Sequence, residues 1–93
     1  MVKIMKKEDK IRAIIEAEKN DKLITWKLED GDEILGYHDE NGKYWADLFD
    51  YVDVTTTPAT VVFIWGTDYD EHRVDINKLT MDSIDRLYRC ISK

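Results

Sequence analysis

One cysteine, one proline and four glycines among 93 residues leave this chain few of the devices that shape small proteins. The lone Cys90 excludes an intrachain disulfide, and with it the stapled secreted mini-domain. No apolar stretch nears the roughly 20 residues a membrane helix requires. The opening Met1-Val2-Lys3-Ile4-Met5-Lys6-Lys7 has no apolar segment of the kind that marks a secretory signal. These absences lead us to expect a cytoplasmic chain that does not enter a membrane.

Cations are scarce where carboxylates are dense. Residues 31–71 hold ten acidic side chains and a single base, Lys43, while the flanking segments are close to balance and the whole chain carries −6. Nucleic-acid binding needs clustered cations facing phosphate, so direct contact with DNA or RNA is not expected. A protein partner, if there is one, is expected to present a basic surface, because charge speaks to partners rather than to fold.

What is present is a core. Apolar residues make up 43% of the chain, with three Trp, five Tyr and two Phe. Aromatics bury large areas, which argues for a folded domain despite 37% charged residues. The length leaves room for one domain over residues 1–93.

Residues 7–19 read as a helix, with Ile11, Ile14 and Ile15 at helical spacing. Asp30-Gly31 and Asn41-Gly42 are hairpin dipeptides, since both central positions of the tightest turns need positive φ. Two-residue turns at both would place Leu35 and Tyr37 on one sheet face with Ile24, Trp26, Ala46 and Leu48. The other face would carry Leu23, Ile34, His38, Trp45 and Phe49. Pro58 argues against a central strand at that point. Residues 61–65, Val-Val-Phe-Ile-Trp, form a continuous apolar run that suggests a buried central strand. His72, Val74 and Ile76 then alternate with Arg73 and Asp75 as a half-buried strand hairpinned back onto it. A closing helix from about Met81 to Ile91 has Thr80 as its N-cap and Met81, Ile84, Leu87, Tyr88 and Ile91 as its apolar stripe. Cys90 falls off that stripe, toward a flank.

The order predicts a two-layer α+β domain: an antiparallel sheet of about five strands between an N-terminal and a C-terminal helix. The alternative is a small, partly open β-barrel with two helices.

No motif carries chemistry. The acidic clusters around Asp30-Gly31 and Asp68-Tyr69-Asp70 lack calcium-loop spacing. His38, His72 and Cys90 match no short zinc or nucleophile pattern. No phosphate loop or nucleophile elbow is present. We therefore expect no catalytic, metal-binding or cofactor-binding residues. The expected function is a non-enzymatic protein-interaction or regulatory module engaging a basic partner surface. Its candidate contact residues are Trp45 and Phe49 as aromatic anchors, with Asp39, Glu40, Asp68 and Asp70 as acidic ones. Homodimerisation through the second sheet face is one version of this. The alternative is a small enzyme or ligand-binding domain with a pocket between sheet and helices, marked by a histidine beside a carboxylate.

Overall fold

Helix α1 spans Lys7–Asp21. It begins where the Lys6 carbonyl accepts from the Asp9 and Lys10 amides, and Glu8 and Asp9 occupy the first turn, where the helix dipole favours negative charge. Ile11 and Ile14 are buried and Ile15 is partly so, as their spacing predicts. The computed structural model describes residues 6–21, 33–65 and 70–91. The expected first strand over residues 23–28, and the Asp30-Gly31 turn after it, lie outside the described residues.

Four strands follow: β1 (Ile34–His38), β2 (Tyr44–Asp53), β3 (Thr60–Trp65) and β4 (Asp70–Asp75). They form one antiparallel sheet in the order β1-β2-β3-β4. The apolar run is the interior strand β3, and Val61, Val62 and Phe63 are fully buried. A short 3-10 turn (Ile76–Lys78) leads to helix α2 (Met81–Ile91), capped at Ser83 N–H by the Thr80 hydroxyl. The α+β arrangement of two helices on an antiparallel sheet is as expected. Four strands are present among the described residues, and β1 and β4 end the strand order without pairing to each other, so the sheet is open rather than closed into a barrel.

The β1–β2 hairpin departs from expectation by one residue. Its loop is three residues long. Asp39 pairs with Lys43 through an amide-to-carbonyl bond of 3.0 Å, and Gly42 N–H closes the turn onto the Asp39 carbonyl. Gly42 sits at φ +79, the left-handed position that follows a type I turn in such loops. The Asp39 carboxylate fixes this wider loop by accepting from the Asn41 and Lys43 amides, both at 2.9 Å. Tyr37 therefore opposes Trp45, and Leu35 opposes Asp47. A one-residue slip moves every side chain of a strand to the other face. Phe49 and Trp45 join Leu35 and Tyr37 on the inner face, while Ala46 and Leu48 turn outward with Ile34 and His38. A bulge at Asp50, between the Phe49–Phe63 and Tyr51–Val62 pairs, then resets the alternation, so Val52 also points inward, opposite Val61.

The core lies on the inner face and under the helices. Tyr37 and Phe63 rings stand 5.0 Å apart, and Ile14, Ile84 and Leu87 complete the cluster with no exposed surface. Cys90 is buried rather than placed on a flank, because α2 packs against α1 as well as β1 and buries a face running through Ser83, Leu87 and Cys90. Lys10 ties the two helices together through Asp85 at 2.7 Å.

Candidate functional site

The outward face of the sheet is divided into a sealed half and an open half. In the sealed half, Val62 lies between Tyr51 and Arg73 in the ladder. The Arg73 guanidinium donates to the Tyr51 hydroxyl at 3.1 Å, and so spans it. The same guanidinium bonds Asp53 at 2.6 Å and reaches Glu71 at 3.4 Å. Val62 is fully buried as a result. Bonds from the Thr55 hydroxyl and amide, and then from Arg73, hold the Asp53 carboxyl down at a pKa of about 2. The same pairing with Asp53 raises Arg73 above its ordinary value.

The open half is aliphatic. Ile34 opposes Leu48, and Leu48 opposes Ile64, so three side chains form a row across three strands. Ile34 is 44% exposed and Leu48 42% exposed. Ala46 and Tyr44 extend the surface toward the hairpin, both exposed. Gly36 permits this arrangement: a Cβ there would come within 2.5 Å of the Tyr44 side chain, so the ring lies over bare backbone. The Tyr44 ring also meets His38 edge-on at 5.8 Å.

The anticipated contact residues are distributed differently. Phe49 is buried in the core opposite Phe63 and offers no surface. Trp45 is 38% exposed at the hairpin end of the inner face. Its indole N–H donates to Asp39 at 2.8 Å, and the Lys43 ammonium stands 4.5 Å from its ring centroid. The Trp45 bond, with those from the Lys43 and Asn41 amides, holds the Asp39 carboxyl below its ordinary pKa. Asp39 is thus the organiser of the hairpin as well as a surface acid. Glu40 is exposed at the hairpin tip and Asp70 at the start of β4. Asp68 lies outside the described residues. Sequence reasoning missed Leu48, Ala46 and Tyr44 as surface because it placed β2 one residue out of register.

A cleft of about 440 Å³ is lined by residues 37–41, residues 72–75 and Lys78. His38 and His72 line it together with Asp39, Glu40 and Asp75, and none of its described lining residues belongs to either helix. A groove of about 340 Å³ lies between α1 and the 54–59 loop, with Ile11 and Ile15 on one wall and Pro58 and Ala59 on the other. Among the described residues no three His, Cys, Asp or Glu side chains are placed to hold a metal ion, and no helix is long and apolar enough to cross a membrane. Compared with known proteins, the chain matches no family model, no curated sequence and no solved structure.

Proposed function

We propose that this chain is a non-enzymatic protein-interaction module that docks through the outward face of β1–β3 onto a partner with a basic surface. The observation that carries the reading is the Ile34–Leu48–Ile64 row, whose first two members remain more than 40% exposed beside a half that the fold seals with its own polar network. Contiguous exposed apolar surface with polar neighbours marks partner sites. The ten carboxylates against one base in residues 31–71, the segment that builds β1, β2 and β3, favour a basic partner over a second copy of a chain carrying −6.

The test is affinity purification from the native host, followed by binding measurements on the recovered partner. Leu48→Ser should weaken binding about tenfold, equivalent to ~1.4 kcal/mol. It should shift the melting curve little, because Leu48 lies on the outward face at 42% exposure and outside the core cluster. Met81→Ser, a change at a 39% exposed residue on α2, is the control. Equal affinities for wild type and Leu48→Ser would reject the face as the docking site.

A further inference from the structure

The aliphatic row on the outward face does not end at Ile64. Ile34 opposes Leu48, Leu48 opposes Ile64, and Ile64 opposes Glu71 of β4, so four strands each give one side chain to a single line. The line therefore closes on a carboxylate. Glu71 is half exposed and stands 3.4 Å from the Arg73 guanidinium, which its shorter bond of 2.6 Å commits to Asp53. At the other end, Arg86 donates to the Ile34 carbonyl and holds Asp82 at 3.1 Å, and the Asp82 side chain is largely exposed. Three aliphatic side chains thus run between two exposed acids.

Beside this row the chain keeps its backbone to itself. β2 and β3 are interior strands, paired on both sides. The β1 edge is taken by the chain's own residues: Leu79 bridges Tyr37, and the Thr80 amide donates to the Gly36 carbonyl at 3.0 Å. The Ser83 hydroxyl accepts from the Gly36 amide at 2.8 Å, and Arg86 covers the Ile34 carbonyl. An extended peptide laid on the row would find no pairing for its amides there. A helix satisfies its backbone internally and brings side chains alone. Spacing points the same way. Adjacent strands lie about 4.8 Å apart, so the row from Ile34 to Glu71 spans roughly 14 Å. One face of a helix recurs about every 5.4 Å, close to that step. One face of an extended chain recurs only about every 6.8 Å.

We infer that the occupant of this face is a basic amphipathic α-helix of a protein partner, lying across the strands. Apolar side chains at i, i+4 and i+7 rest on Ile34, Leu48 and Ile64, and a lysine or arginine one turn further meets Glu71. A second base at the opposite end meets Asp82. The inference rests on the reading of the outward face as a docking surface and specifies what docks there. The ten carboxylates against Lys43 in residues 31–71 disfavour an acidic helix.

The probe is a capped helical peptide of about 18 residues, roughly five turns, with three leucines at this spacing between two lysines. It is compared with the same peptide interrupted by a central proline and with one whose end lysines are glutamates, each titrated into the ¹⁵N-labelled full chain. The lysine peptide should perturb the Ile34, Leu48, Ile64 and Glu71 amides in a saturable way. The proline, the glutamates, and Leu48→Ser in the chain should each weaken binding at least tenfold. Glu71→Lys should reverse the preference, so that the glutamate peptide binds better than the lysine one, and the ¹⁵N spectrum of each variant reports its fold. Equal binding of the proline peptide, an unreversed preference, perturbation of β4 without Leu48, or no binding at all would each overturn the basic helix. Such a result, with Leu48→Ser still weakening the natural partner, would reject the helix alone and leave the docking face standing. A natural partner indifferent to Leu48→Ser would reject the face itself.

Discussion

Single carboxylates in this chain do unlike work. Asp39 organises a loop, with one oxygen on two amides and the other on the Trp45 indole. Asp53 anchors the polar network over Val62, and its lowered pKa makes that network sensitive to acid. A carboxyl held at about 2 in the folded chain, against an ordinary 3.8, contributes stability that is fully present above the ordinary value and is lost as pH falls through the range between them. Wild type should therefore lose stability between pH 5 and pH 2 more steeply than Asp53→Asn. The comparison is of urea midpoints at unit steps across that range. Parallel curves would show that Asp53 takes no part in the acid response.

Elements owe their placement to a few such residues. The hairpin depends on Gly42, the described glycine at positive φ. Nothing lies within 4 Å of where a Cβ would stand, so a substitution there tests backbone strain without a steric clash. Gly42→Val should destabilise the fold by ~1 kcal/mol or more, because a β-branched residue is strained in the left-handed region. Chemical denaturation read by Trp fluorescence would measure it, and an unchanged midpoint would show that the loop tolerates another geometry. Helix α2 likewise does more than present an apolar stripe. Met81 stays 39% exposed, while Ser83 and Cys90, outside the expected stripe, are buried. The helix docks on the β1 edge through Ser83 and Arg86, which also shields that edge from pairing with another chain.

The whole molecule divides its charge. The helices are bridged by the opposite charges of Lys10 and Asp85, while the strands and the β1–β2 hairpin carry most of the acidic block. Exposed charges act chiefly on the rate and salt dependence of association. Neutralising Glu40, Asp70 and Glu71 to the corresponding amides should change stability by less than ~0.5 kcal/mol each. It should slow association with a basic partner and flatten the dependence of that rate on ionic strength. Asp39 is left intact in this variant because its loss would disturb the hairpin. Identical salt slopes for variant and wild type would assign the acidity to solubility alone.

The sequence by itself determined what local chemistry determines. Helical spacing placed Ile11 and Ile14 inward, Thr80 began α2, the apolar run marked β3 as an interior strand, and Asn41-Gly42 located a hairpin. Each of these signals acts within a few residues. Register was decided elsewhere. A two-residue and a three-residue loop both suit Asn41-Gly42, and the structure takes the one that sets Phe49 against Phe63 and leaves Leu48 outside. That choice depends on area buried across strands far apart in the chain, to which local turn preference is blind. The bulge at Asp50, the burial of Cys90 between elements and the sealing of Gly36 by Ser83 belong to the same class. The aliphatic face was hidden from sequence reading for that reason: it is a consequence of register, which only the assembled fold sets.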